Sequence, residues 1–230
     1  MKTYNSIDYY NKGILGTYIY AFNKLDGSNF RAEWDKKLSK KSRFTYGFGK
    51  FGTRQKMIYK NDQNWGKAID IFYEKYAQQL DEIFRTDKDF QNAKKITVFC
   101  EYFGPNSFAG WHDPNDKKNN LMDLVLFDID VYQKGIMPPR EFIKKFEHLG
   151  IPEVVYQGMY DQSLIDDVKN NVYNLTEGVV VKGTMLTKKK GVENTWMVKI
   201  KTDAWLQKVR EIHGTGKLLE ELNGDESLMV

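Results

Sequence analysis

Four short segments in fixed order, each placing charge at the edge of an apolar strand, constrain this chain more than its composition does. Lys24 ends the alternating stretch Tyr18-Ile19-Tyr20-Ala21-Phe22-Asn23 and runs into Leu25-Asp26-Gly27-Ser28-Asn29. Glu101 lies within Val98-Phe99-Cys100-Glu101-Tyr102-Phe103-Gly104, Glu177 precedes Gly178-Val179-Val180-Val181-Lys182, and Lys199-Ile200-Lys201 closes the series. Successive side chains of a strand point to opposite faces, so Lys199 and Lys201 share one face and Val198 and Ile200 take the other. Neighbouring like charges repel, and a strand shows them to water unless an anion lies between them. Alone, an Asn-Lys-Leu-Asp-Gly string reads as a hairpin turn with a solvated lysine, and a Val-rich strand ending in lysine reads as core. Four such signals together describe a place that handles phosphate.

The rest of the chain frames these segments. At 230 residues it can bury a sizeable core as one large domain or two small ones, and 14% aromatic and 41% hydrophobic residues confine disorder to the termini. A net charge of +4 permits a polyanionic partner without requiring one. The single cysteine, Cys100, can form no disulfide within the chain, and three scattered histidines have no metal-ligand spacing. No segment approaches the length that spans a bilayer, so a cytoplasmic, membrane-free protein is expected. Apolar residues Trp65, Ile69, Phe72, Tyr76, Leu80 and Ile83 recur at helical spacing and predict a helix over 65–84. Strands are predicted over 96–103 and 121–131, joined by a Gly-, Pro-, Asn- and Asp-rich loop that contains His112. Pro139 opens a helix to His148, and Ser163 is a candidate N-cap for another reaching about Tyr173. The last strands fall at 178–182 and 196–202, with a tail that is helical from Asp203 to Ile212 and then punctuated by glycine.

As a set, the four segments resemble the covalent nucleotidyltransferases, the superfamily of ATP-dependent ligases and mRNA capping enzymes. Lys24-Leu25-Asp26-Gly27-Ser28-Asn29-Phe30 is most similar to RNA ligases of the second T4-type family and their RNA-editing relatives. Those relatives carry asparagine at the last motif position, here Asn29, where DNA ligases and capping enzymes typically carry arginine. The resemblance spans Phe22 to Lys201. It implies an α+β fold, a nucleotidyltransferase (ATP-grasp-like ligase) domain with antiparallel sheets flanked by helices and the nucleotide pocket between the sheets. Residue by residue, it makes Lys24 the nucleophile that receives AMP, with Phe22 and Asn23 beside the nucleotide. Ser28 and Asn29 then contact the ribose, Glu101 a ribose hydroxyl and Arg43, with Arg54 as its rival, a phosphate. Phe127 and Val180 sandwich adenine, Glu177 helps hold a metal, directly or through water, and Lys182, Lys199 and Lys201 contact phosphates.

The activity implied is ATP-dependent RNA ligation in three displacements at phosphorus. Lys24 expels pyrophosphate from ATP, AMP passes to a 5′-phosphate end, and a 3′-hydroxyl expels AMP. An attacking lysine must be neutral, and neighbouring cations with partial desolvation favour that state. Mg²⁺ or Mn²⁺ would accompany ATP. The basic runs Lys36-Lys37 with Lys40-Lys41-Ser42-Arg43, and Lys188-Lys189-Lys190, follow the first and third segments and suit a nucleic acid end. Relatives commonly append a second domain, whereas 29 residues follow Lys201 here. The expected organisation is a catalytic domain over 1–202 and a short helical tail over 203–230, with no OB-fold. That organisation favours a monomer, with substrate grip supplied by its own basic loops or by an accessory protein. The alternatives are a minimal DNA ligase, a GTP-using capping enzyme and a non-catalytic module that binds nucleic acid ends.

Overall fold

A computed structural model describes residues 1–42, 45–105, 121–186 and 193–228. Arg43, His112 and the Lys188-Lys189-Lys190 run therefore lie outside the described residues. Among the described residues there are eleven strands: β1 (Asp8–Tyr9), β2 (Tyr18–Lys24), β3 (Ser28–Asp35), β4 (Phe48–Thr53), β5 (Met57–Ile58), β6 (Lys95–Phe103), β7 (Asp123–Val131), β8 (Gly135–Ile136), β9 (Val154–Met159), β10 (Gly178–Leu186) and β11 (Glu193–Lys201). The α-helices are α1 (Lys36–Lys41), α2 (Gly66–Phe72), α3 (Gln78–Thr86), α4 (Pro139–Phe146), α5 (Gln162–Lys169) and α6 (Asp203–Glu221). The chain divides into two compact units. Unit 1 comprises 1–5, 27–137 and 141–151, and unit 2 comprises 6–26, 138–140 and 152–230.

Unit 1 is built on a six-stranded antiparallel sheet of order β5-β4-β3-β6-β7-β8. The predicted helix over 65–84 is present as α2, a π-helical turn at Tyr73–Ala77, and α3. Its apolar stripe buries Phe72, Tyr76, Leu80 and Phe84 among the fully enclosed sheet residues Phe30, Trp34 and Phe48. The rings meet edge to face, as their quadrupoles favour, with centroids 4.9 Å apart for Phe48 and Phe72 and 5.5 Å for Trp34 and Phe84. Asp81 is buried in this layer and accepts hydrogen bonds from Trp34 Nε1 at 2.7 Å and Ser39 Oγ at 2.5 Å. Those bonds supply the partners that a carboxylate needs away from water.

The opposite face of this sheet is polar and carries Asn29, Arg31, Glu33, Thr97, Phe99, Glu101, Asp128 and Asp130 in cross-strand rows. The N-terminal segment lies on part of it. The Met1 amino group is 3.3 Å from Glu33, Arg31 Nη1 donates to Lys2 O at 2.7 Å, and Tyr4 OH donates to Asp128 at 2.5 Å. Strict alternation along β7 would put Phe127 on the face of Ile129. A bulge pairs Phe99 with Asp128 but Cys100 with Leu126, leaving Phe127 as the extra residue. An extra residue reverses the alternation. Ile129 therefore joins Leu124 and Leu126 in the core, and Phe127 turns toward Tyr4 and Phe99, at centroid distances of 5.1 and 6.4 Å.

Unit 2 is a five-stranded sheet of order β1-β11-β10-β2-β9, antiparallel except for the β1–β11 pair. Its inner face is a cluster of Ile19, Ala21, Val179, Val181, Val198 and Ile200 packed with Leu164, Ile165 and Val168 of α5. The N-cap of α5 is Asp161, whose side chain accepts from the Leu164 N–H at 3.0 Å, rather than Ser163, and the helix stops at Lys169. A carboxylate caps the positive end of a helix as well as a hydroxyl does, so Asp161 wins by position. The tail also departs from expectation. Helical structure continues beyond Ile212 to Glu221 across a break at Gly214, which has φ 80°, because Leu218 and Leu222 are buried and anchor the second stretch. Among the described residues no helix is long and apolar enough to cross a membrane.

Candidate active site

The register of unit 2 explains why the sequence spaces its lysines as it does. Antiparallel partners sit side by side on one face, so β2, β10 and β11 lay down three rows on the outer face of the sheet. Lys24, Gly178 and Lys201 form the first row; Phe22, Val180 and Lys199 the second; Tyr20, Lys182 and Met197 the third. The centre of the first row is a glycine with φ 151°, and a Cβ there would stand 2.1 Å from Ile200 O. Lys24 and Lys201 are therefore two strand spacings apart, about 9.6 Å, with no side chain between them from β10.

Glu177 occupies that gap. As the residue before β10 it escapes the strand's alternation and so can face the lysines. Both of its oxygens lie 2.8 Å from Lys24 Nζ, and Oε1 also accepts from Lys201 Nζ at 2.7 Å. The Lys201 side chain is completely enclosed and Glu177 almost so, whereas Lys24 keeps 22% of its side-chain surface exposed. The nucleophile expected from the sequence is thus the accessible member of an otherwise buried ion cluster.

Two further groups enter the cluster from the C-terminal stretch. Lys201 also donates to Glu221 Oε2, and its ammonium lies 3.8 Å from the centroid of the Trp205 ring. Lys199 donates to Asn223 Oδ1 at 2.8 Å. Burial, reinforced by the Lys201 charge, pushes the Lys199 ammonium down to about 8. Burial would raise the Glu221 carboxyl, but the adjacent Lys201 prevails and holds it below the ordinary carboxylate value. Lys182 is buried with its Nζ 4.8 Å from the Phe22 ring centroid, and Phe22 itself is core. Val180 is half-buried and Asn23 partly exposed. Glu221, Asn223 and Trp205 were not read from the sequence as site residues. The apolar pair Leu218 and Leu222, one helical turn apart, is the signal that the end of the tail is seated on the molecule.

The remaining candidates belong to unit 1. Ser28 and Asn29 open β3, and Asn29 pairs across the strands with Glu101. Asn29 Oδ1 is buried and has no hydrogen-bond partner among the described residues. Such an orphaned acceptor marks a place for a donor from outside the chain, and beside Glu101 it suits the hydroxyls of a sugar diol. Gly27 sits close against β6, since a Cβ there would stand 2.6 Å from Tyr102 O and 2.8 Å from Phe103 Cβ. Among the described residues no group of three or more His, Cys, Asp and Glu side chains could hold a metal ion. A lone carboxylate such as Glu177 still fits a magnesium-type ion, which keeps most of its waters and binds through one or two carboxylates and the substrate's phosphates.

Solved structures of a Naegleria gruberi RNA ligase share the fold. A mutant with AMP and Mn superposes with a TM-score of 0.56 at 15% identity, covering 90% of this chain and 58% of that one. The structure with PPi gives 0.54 at 16% identity, over 92% and 58%. A mutant with ATP and Mn gives 0.52 at 16% identity, over 89% and 57%. This chain thus spans less than two thirds of the length of the chains it matches. No curated protein matches it in sequence. The RNA ligase family profile matches residues 17–201, which takes in β2 through β11 and every charged segment of the site. The chain belongs to the RNA ligase family.

Proposed function

We propose that the chain is an ATP-dependent RNA ligase that works through a lysine-bound AMP. The observation that supports this reading above all is the row Lys24, Gly178 and Lys201 with Glu177 seated in its gap. Lys24 attacks the α-phosphorus of ATP, a P–N bond forms, and the bond to the bridging oxygen breaks with release of pyrophosphate. The amine must first lose a proton. Its contact with Glu177 favours the ammonium and the nearby Lys199 and Lys201 favour the free amine, and the released proton passes to the water that the exposed part of Lys24 reaches. A magnesium or manganese ion held by Glu177, directly or through water, would neutralise phosphate charge when bound. Lys182, Lys199 and Lys201 are read as phosphate contacts. Phe22 and Asn23 flank the nucleotide, Val180 and Phe127 contact adenine, Ser28 and Asn29 contact the ribose, and Glu101 accepts from a ribose hydroxyl. AMP then passes to a 5′-phosphate end, and a 3′-hydroxyl, RNA favoured, displaces it.

In this reading residues 1–202 form the adenylyltransferase and 203–230 a helical tail. The protein acts as a monomer in the cytoplasm, and a partner can add grip on the substrate. Incubation with α-labelled ATP or GTP tests the proposal. A covalent label from ATP but not GTP, lost in Lys24→Ala, is expected. Absence of label from both nucleotides overturns it in favour of a non-catalytic end-binding module. Nicked duplexes with RNA or DNA at the 3′-hydroxyl side then separate RNA from DNA sealing.

A further inference from the structure

The end of α6 meets the two distal lysines in an unusual way. An ammonium offers three N–H donors, and all three sides of Lys201 are engaged: by Glu177, by Glu221 and by the face of Trp205. A phosphate oxygen can reach Lys201 only by replacing one of them. Trp205 is core, and Glu177 is nearly buried and holds Lys24 as well. Glu221 is the most exposed of the three, with 17% of its side-chain surface accessible. Its second cation, Lys217, is 3.9 Å away on its own helix. Two residues on, Asn223 takes the hydrogen bond of Lys199. Both groups lie beyond Gly214, whose φ of 80° separates this stretch from the first part of α6.

We propose that Glu221 is a built-in surrogate for a nucleotide phosphate. Its carboxylate occupies the phosphate position on Lys201, Asn223 caps Lys199, and ATP or pyrophosphate must displace the stretch to bind. This rests on the reading of Lys199 and Lys201 as phosphate contacts. With Glu221 seated, two carboxylates oppose Lys24, Lys199 and Lys201. With it displaced, only Glu177 does, and the cluster meets the incoming triphosphate with one more positive charge. The stretch therefore guards two lysines that would otherwise have only Glu177 to offset their mutual repulsion, and it sets a threshold that only a multivalent anion passes.

Glu221→Gln keeps the shape and an acceptor but removes the charge, and Glu220→Gln, at an exposed neighbouring position, is the control. By calorimetry with pyrophosphate, Glu221→Gln is expected to bind roughly three- to tenfold more tightly than the wild type, the scale by which a charge-assisted hydrogen bond exceeds a neutral one. Its melting temperature should fall, and Glu220→Gln should change neither. A merely structural role gives a lower melting temperature with equal or weaker binding, and that result overturns the proposal. In the wild type, amides 215–224 should exchange faster when pyrophosphate is added; slower or unchanged exchange overturns it too and decides the matter should the variant fail to fold. The labelling assay separates the two claims. Lysine labelling without tighter pyrophosphate binding in Glu221→Gln removes the surrogate and leaves the ligase, whereas tighter binding without labelling does the reverse. No pyrophosphate binding by either protein overturns the surrogate.

Discussion

Lys199 has the most distinctive chemistry of any single side chain here, because it is buried against Lys201 and lacks a carboxylate of its own. Its ammonium gives up a proton near pH 8, well below the ordinary lysine value. Below pH 8 it is charged in both native and unfolded chains, so its burial cost is constant there; between about 8 and 10.4 only the unfolded chain holds the proton, and its contribution to stability improves as pH rises. Binding of a polyanion follows the opposite trend, since it needs the charge. Pyrophosphate affinity is therefore expected to weaken as pH rises through about 8 in the wild type. In Lys199→Arg, which stays charged, it should hold steady over the same window, and calorimetry at a series of pH values checks this. Of the candidate site residues, Lys24, Lys182, Lys199 and Lys201 were legible because each sits at a countable distance from a strand end. Glu221 was not, since what seats it is a contact 20 residues away in sequence.

The site of unit 2 depends on β10 more than on any other element. That strand pairs on both sides, and its first residue leaves the gap filled by Glu177. Gly178 is required twice over, by φ 151° and by the closeness of Ile200 O. Gly178→Ala is expected to cost roughly 2–3 kcal/mol in urea unfolding and to abolish lysine labelling by pushing Lys24 and Lys201 apart. Labelling at the wild-type rate would show that the row geometry is dispensable. The elements rich in alternation or helical spacing, β6, α2 with α3, and β10, were predictable in type. The bulge at Phe127 was not, because a single extra residue leaves no trace in local propensity and is fixed by how β7 fits β6.

Across the whole molecule, carboxylates of both units depend on their cations. Burial alone would raise Glu33, yet Lys95 and the Met1 amino group hold it low. In Asp87 desolvation is likewise overcome by Lys145 and the Asp89 amide together, and in Glu221 chiefly by Lys201. Groups with native values below their unfolded ones add stability that is present above the ordinary carboxylate range and vanishes as pH falls through the native values. Asp130, raised by burial, works in the other direction and offsets part of the loss. The melting temperature should thus be flat near pH 6–7 and fall steeply below about pH 4. Replacing Glu33 with Gln should make that decline shallower, and an unchanged acid limb would remove Glu33 from the account.

From the amino-acid sequence alone came the order of the charged segments and the type of its most periodic elements, and its resemblance to the covalent nucleotidyltransferases implied the family, the α+β class and Lys24 as the expected nucleophile. Alternation, turn chemistry and spacing, which carry the former, are local properties of a chain. Only the tertiary structure decided which charges meet. It set Glu177 between Lys24 and Lys201, brought Glu221 and Asn223 back from the tail, and turned Phe127 out of the core. Contacts of that kind arise from strand register and from the burial of distant apolar anchors such as Leu218 and Leu222, and long-range packing has no period along the chain.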